Sequence, residues 1–341
     1  MSTIYVSSYG KDKLKGIYVV SVEDNGSLKL LEKIDTKDYP SYLIRKENTL
    51  YASYKNASKE NNGGGLGSYS IQNNHLVLNN NYNSSGRSYT HLAISNDEKY
   101  LFAANYHVGA TASYTVNNHE IINKIGAIRH SGHGTDILKR QEAPHAHCVG
   151  FTPDNKYVYS VDLGADQVVL YTYENGVLNQ DKEATLKVSD ATGPRHMIFS
   201  CDGKYAYLIN EIANTINVYK YMDCRFNLIQ SLPTIPKDYD TLTSAAAIRL
   251  TSSGNHLIAS NRGHDSLVLY RVNKENGKLM QVTTIHTGKE PRDFNILNDQ
   301  YVIVGAQKDN QLEVYLLDET NETITPTNNT LEIPEPVCIC I

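Results

Sequence analysis

The stretch Pro194 to Glu211 reads P-R-H-M-I-F-S-C-D-G-K-Y-A-Y-L-I-N-E. It is a short run opening on a cation, a turn at Asp202-Gly203, and an apolar, tyrosine-rich run closing on a carboxylate. The same plan recurs in T-H-L-A-I-S-N-D-E-K-Y-L-F-A-A-N-Y (Thr90 to Tyr106) and in A-A-I-R-L-T-S-S-G-N-H-L-I-A-S-N-R (Ala246 to Arg262). A period of roughly 45–57 residues marks stacked or radially arranged supersecondary units. Within each copy, runs such as Q-V-V-L-Y-T-Y (Gln167 to Tyr173) and T-I-N-V-Y-K-Y (Thr215 to Tyr221) are bounded by turn dipeptides such as Asn175-Gly176 and Ser253-Gly254. Such runs are strands joined by hairpins.

Counting first strands outward from this unit gives starts near Ile4, Pro40, Thr90, His145, Pro194, Ala246 and Pro291. The spacing predicts an all-β, seven-bladed β-propeller of four-stranded antiparallel blades. The N-terminal I-Y-V-S-S-Y and the C-terminal P-E-P-V-C-I-C-I read as strands sharing one blade, which closes the ring and removes free edges. No linker or composition shift divides the 341 residues, so residues 1–341 are expected to form a single propeller domain. The polar stretch Lys55 to Gly67 reads as a loop.

A net charge of -5 without a basic block argues against nucleic acid as partner. No run approaches the ~20 apolar residues of a membrane span. The N-terminal residues lack the basic and apolar regions of a signal peptide. Five scattered cysteines suit a reducing compartment, so a cytoplasmic protein is expected. The 25 tyrosines without a single tryptophan suit pleated, half-buried surfaces and remove the Trp-Asp signal of protein-binding propellers.

In a propeller the inner strands converge on a central channel. The residues closing the N-A-N-Y type strand (Asn105, Tyr106, Glu211, Asn261, Arg262) should meet those opening the innermost strands (His91, His145, His147, Arg195, His196, Arg292). Asp97, Asp154 and Asp202 are turn formers, and Asp162 and Asp166 are expected to organise a loop through backbone hydrogen bonds. Arg195, Glu211 and Arg262 are harder to assign to structure, because buried charges need partners. His145 and His147 alternate along one strand, yet no compact ligand set accompanies them. No metal and no cofactor is expected, and oligomeric state is not legible.

Several stretches together carry a family resemblance. They are P-H-A-H-C-V-G-F-T-P-D (Pro144 to Asp154), V-D-L-G-A-D-Q-V (Val161 to Val168), G-P-R-H-M-I-F, Y-L-I-N-E-I-A-N-T-I, A-S-N-R-G-H-D-S-L and P-R-D-F (Pro291 to Phe294). Through them most of the chain, from Pro40 onward, resembles the seven-bladed propeller lactonases typified by bacterial 6-phosphogluconolactonase. The resemblance implies hydrolysis of a sugar δ-lactone, 6-phosphogluconolactone in the pentose phosphate pathway. The fold family also looks like the fungal carboxymuconate lactonising enzyme, whose active-site motifs map onto His147, Arg195, Glu211 and Arg262. His145, His196, Asn105, Tyr106, Asn261 and Arg292 are then expected to bind the small, phosphorylated sugar lactone. Two alternatives remain at this level: a cycloisomerase acting on a dicarboxylate, and a non-catalytic propeller binding a small anion or a protein. The chain departs from the family pattern at Ala247, where relatives carry an acidic residue, and at Tyr89, in place of a small residue or proline. The last blade lacks the usual Pro-Asp-Gly turn, and the second carries a glycine-rich insertion.

For general acid–base work, His is the better base near neutral pH. A Glu beside two arginines stays ionised and suits positioning. The arginines suit a developing oxyanion or a substrate anion.

Overall fold

The structure, a computed structural model, describes residues 1–57, 63–85, 88–136 and 140–341. Seven four-stranded antiparallel sheets follow one another around a ring. Blade 2 comprises Tyr39–Lys46, Thr49–Lys55, Gly65–Gln72 and His75–Asn83. Blade 3 comprises His91–Ile94, Tyr100–Asn105, Ala110–Asn117 and Glu120–Arg129; blade 4 comprises Ala146–Phe151, Val158–Asp162, Gln167–Glu174 and Val177–Lys187. Blade 5 runs Pro194–Phe199, Tyr205–Asn210, Thr215–Met222 and Arg225–Pro233, and blade 6 runs Ser244–Leu250, His256–Arg262, Ser266–Val272 and Leu279–His286. Blade 7 is Pro291–Leu297, Tyr301–Ala306, Gln311–Asp318 and Thr323–Glu332.

Blade 1 is built from both ends of the chain. Its order is Pro336–Cys340, Ser2–Ser8, Gly16–Val22, Leu28–Asp35. The strand at Ile4, counted from the sequence as a first strand, is therefore second in its blade, and the innermost position belongs to Pro336–Cys340. The loop read at Lys55 to Gly67 lies partly outside the described residues, and its last part, from Gly65, is strand.

Apolar burial follows the seams between blades. Tyr207, Val218, Ala259 and Tyr270 share a cluster between blades 5 and 6, and Ile4, Val20, Ile303 and Val314 share one between blades 7 and 1. The remaining five clusters fill the other five seams. The second strand of a blade, such as Val158–Asp162 or Tyr205–Asn210, thus buries both faces, at about 1.5–3 kcal/mol per large apolar side chain, whereas the outermost strands stay largely exposed. Tyrosine serves here because its ring packs, and in Tyr159 and Tyr270 the hydroxyl also donates to a backbone carbonyl, of Met197 and Pro233. The departure at Tyr89 is of this kind: it is buried between blades 2 and 3, and its hydroxyl meets that of Tyr114 at 2.5 Å.

One irregularity repeats and positions the channel wall. In blade 4, Ala146 pairs with Asp162 and Cys148 with Val161, so His147 is skipped. In blade 5 the skipped residue is Arg195, in blade 7 Arg292, in blade 2 Ser41, and in blade 1 Val337. Blade 6 skips both Ala246 and Ala247. Such β-bulges leave a residue outside the ladder and re-aim its side chain. Val337, Ser41, His147, Arg195 and Arg292, with Thr90 at the matching place ahead of the blade 3 strand, line one central cavity.

Candidate active site

Glu211 follows the second strand of blade 5, and its backbone N–H donates to Gly193 O at 2.7 Å. Gly193 holds φ +58, where a Cβ would lie 2.5 Å from Ile212, so glycine is required beside this turn. Asp166 accepts the Gly193 N–H at 2.8 Å and the Ala191 N–H at 2.9 Å, as the loop-organising expectation required. The Glu211 side chain is then delivered, 2 % exposed, into a cage of cations.

Arg195 reaches Glu211 Oε2 at 2.7 Å and Arg262 reaches the same oxygen at 3.0 Å. The other oxygen, Oε1, is taken by Arg140 at 2.8 Å. Arg195 is further fixed by donating from Nε to Ala246 O at 2.9 Å. Burial by itself would raise the Glu211 carboxyl. Arg262, Arg195 and Arg140 outweigh burial and hold it well below the usual carboxylate range. Burial works against Arg140's charge, but Glu211 and Tyr106 more than offset it. Burial pushes Arg195 down to about 9, with Arg262 and Arg292 adding to it and Glu211 opposing. At neutral pH it stays a cation, so three guanidiniums face one carboxylate and positive charge is in excess.

His147 Nε2 lies 2.5 Å from Arg195 Nη1. A guanidinium only donates, so Nε2 accepts, and a neutral imidazole then carries its proton on Nδ1. Burial, and next the Arg195 charge, push His147 well below the usual histidine range, which keeps it neutral. Its buried Nδ1 has no hydrogen-bond partner among the described residues. As placed, His147 offers a donor rather than the lone pair of a general base.

The cavity shared by His147, Arg195, His196, Arg292, Ser41, Thr90 and Tyr9 has a volume of about 20 Å³, room for a single water-sized group. No hydrogen bond or ion pair of Arg292 with another described residue is found. His196 touches the His147 ring edge-on at 5.3 Å and the His91 ring at 5.4 Å. His91 in turn stacks on Tyr42 at 3.9 Å. Burial, followed by Arg249 and Arg195, lowers His91 to about 3, and burial with Arg195 lowers His196 well below its ordinary value. Below them Arg249 pairs with Asp293 at 2.8 Å, and Asp293 accepts the Ile339 N–H at 2.9 Å.

The structure therefore brings together His147, Arg195, Glu211 and Arg262, with Arg292 and His196 beside them. Tyr106 joins through its hydroxyl, which accepts from Arg140 at 3.1 Å. His145 stands one layer out: it stacks on Tyr106 at 4.4 Å and bonds Tyr106 O at 3.0 Å and Glu142 at 3.0 Å. Asn105 and Asn261 are placed otherwise than expected. Asn105, 2 % exposed, accepts the Val108 N–H at 3.1 Å, and Asn261, fully buried, exchanges hydrogen bonds with Thr234 and Ser266. The Asn105 carbonyl oxygen and the whole Asn261 amide are thus engaged by the chain itself, as buried polar groups must be. Arg140 was not legible in the repeat, since it sits between blades in the long connection from Arg129 to Ala146. That connection's length was the available signal, for long loops on a rigid scaffold carry function.

Among the described residues, no group of three or more His, Cys, Asp or Glu side chains is placed to hold a metal ion. No helix of the described residues is long and apolar enough to cross a membrane.

Residues 3–341 match the family described as "Lactonase, 7-bladed beta-propeller". The chain belongs to this lactonase family. An uncharacterized protein of Staphylococcus aureus (strain USA300) is 37% identical to it over 349 residues, covering 99% of each chain. Among solved structures, the periplasmic gluconolactonase of Pseudomonas aeruginosa is similar at TM-score 0.92 and 28% identity, covering 99% of this lactonase-family chain and 98% of that one. A Bacteroides fragilis protein provisionally named a 6-phosphogluconolactonase is similar at TM-score 0.91 and 28% identity, covering 99% and 96%.

Proposed function

We propose that this lactonase-family propeller hydrolyses a sugar δ-lactone, with 6-phosphogluconolactone as substrate, as one cytoplasmic domain spanning residues 1–341. One observation carries the reading. The unpartnered donors His147 Nδ1 and Arg292 belong to side chains lining one water-sized cavity, beside an ionised Glu211 and two buried arginines. A lactone carbonyl oxygen fits such a cavity, and the excess positive charge favours a substrate that is anionic or becomes so. Five free cysteines support a reducing compartment.

In this reading a water hydrogen-bonded to Glu211 attacks the carbonyl carbon. The new C–O bond pushes charge onto the carbonyl oxygen, which Arg195, Arg292 and the His147 Nδ1–H stabilise. Collapse breaks the ring C–O bond, and the proton that water loses as the new C–O bond forms passes to the leaving alkoxide while Glu211 orients the water. The new carboxylic acid ionises to solvent. Glu211, held far below neutrality, is a weak base that orients water more than it abstracts a proton. Arg262 fixes Oε2 and keeps the carboxylate charged.

The test is hydrolysis of freshly made 6-phosphogluconolactone by purified protein, measured against spontaneous opening. Acceleration that is lost in Arg262→Met supports the reading. A rate equal to the blank with phosphorylated and unphosphorylated lactones alike would refute it.

A further inference from the structure

The two oxygens of Glu211 are held unequally. Oε2 is pinned by Arg195 and Arg262, whose side chains are 5 % and 9 % exposed. Oε1 is reached by Arg140 alone, and that side chain is 41 % exposed. A single nitrogen, Nη2 of Arg140, serves both Glu211 and the Tyr106 hydroxyl. The Arg140 backbone is anchored: its N–H donates to Asp136 O at 3.1 Å, and the neighbouring Gln141, fully buried, bonds Leu163 O at 2.8 Å. Any displacement of the guanidinium is thus a side-chain rotation on a fixed base. Water needs a free Glu211 oxygen, and Oε1 is the one that a single rotation releases.

We propose that Arg140 is the specificity-determining and positioning residue of the site: an anionic group on the substrate draws its guanidinium from Glu211, and the freed Oε1 orients the hydrolytic water. The inference rests on the lactonase reading above for the chemistry, but not for the anion contact. Three cations share one carboxylate, so a second anion from solvent competes for the most exposed of them without leaving Glu211 unpaired. Arg195, Arg262 and the neutral His147 still face Glu211 after the exchange, with Arg292 beyond them. The cavity beside His147 has room for a single water-sized group, whereas Arg140, with Tyr106 at its side, is the cation of the Glu211 cluster that solvent reaches most freely. The phosphoryl group of the lactone acts there as an activator as well as an anchor.

Wild-type protein should turn over 6-phosphogluconolactone with a kcat about tenfold or more above that for glucono-δ-lactone. In Arg140→Met the two kcat values should converge, with KM for the phosphorylated lactone raised about tenfold and kcat for the unphosphorylated one increased. Arg140→Lys should keep most of the discrimination. An unchanged ratio, with both substrates impaired equally, overturns the proposal and leaves Arg140 a structural residue. Calorimetric titration with inorganic phosphate separates the two readings, since it needs no turnover. Binding about tenfold weaker in Arg140→Met than in wild type supports the anion contact. Equal or absent binding in both proteins overturns it. Phosphate held through Arg140 by a protein that opens no lactone would overturn only the lactonase reading.

Discussion

Two buried carboxylates at the ends of the second strands of neighbouring blades have opposite surroundings. Asp162, fully buried, gives Oδ1 to the backbone N–H groups of His145, Gly164 and Ala165, and Oδ2 to His130, whose other nitrogen meets Thr111. Among the described residues the Glu211 carboxylate accepts from side chains only, and all of them are arginines. The first arrangement resembles a catalytic triad in composition, yet every member is sealed and every oxygen is committed to the chain itself. The second leaves charge in excess and donors unspent. A buried carboxylate bonded to backbone holds a loop, whereas one bonded only to side-chain cations leaves charge for a ligand to meet.

The contrast can be broken most sharply at Glu211. Glu211→Gln should lower kcat/KM by roughly 10²–10³ and also lower the melting temperature, since three guanidiniums lose their counter-charge at a cost of about 3–5 kcal/mol. Arg195→Met should show a comparable loss of turnover with a distinctly smaller thermal shift, because the carboxylate keeps Arg140 and Arg262. If both variants melt alike, the charge excess inferred at this cluster is wrong. Asp162→Ala should reverse the pattern. It orphans three N–H groups and His130, so a loss of about 3 kcal/mol or more is expected, with kcat little changed in the protein that remains folded. Denaturant melts paired with active-site titration would read both quantities.

Acid should sharpen the same comparison. His91, His147 and His196 are all held below the ordinary value of 6.5 in the folded protein. Below that pH the unfolded chain takes up protons that the folded chain refuses, so stability is complete above 6.5 and declines as pH falls. Each histidine contributes a slope of up to about 1.4 kcal/mol per pH unit. Glu211, also depressed, adds to the decline once pH drops under its unfolded value of 4.5. Melting temperatures should be level above pH 7 and fall steadily from pH 6.5 to pH 4; a level profile across that range would show these rings to be protonated or solvated. The smallest effect is expected from Tyr106→Phe, which removes one acceptor of Arg140. KM should change by about threefold, within the range of a single hydrogen bond, with kcat nearly retained.

Much of the architecture was readable because it repeats. Turns such as Asp202-Gly203 and the alternating tyrosine runs specify hairpins locally, so seven blades follow from counting. The assembly of His147, Arg195, Glu211 and Arg262 was readable for a different reason. Charged residues at strand ends in a β-rich chain have few places to go except a shared polar channel. The bulges that aim those side chains were not visible, because skipping one residue leaves no mark on composition. Asn105 and Asn261 looked the same as site residues in sequence, since an amide that binds a loop and one that binds a ligand share one letter. Arg140 had no repeat partner to betray it.

Every member of the Glu211 cluster precedes residue 263, so the ribosome has finished them long before it reaches Pro336–Cys340. Yet that strand supplies the inner wall of blade 1, and its Ile339 N–H ends on Asp293 of blade 7. A nascent chain stalled short of Pro336 would carry every reactive side chain and still lack the clasp that joins the first blade to the last. The strand Pro336–Cys340 lends no side chain to the Glu211 cluster, yet it ties together the ring on which that cluster is mounted.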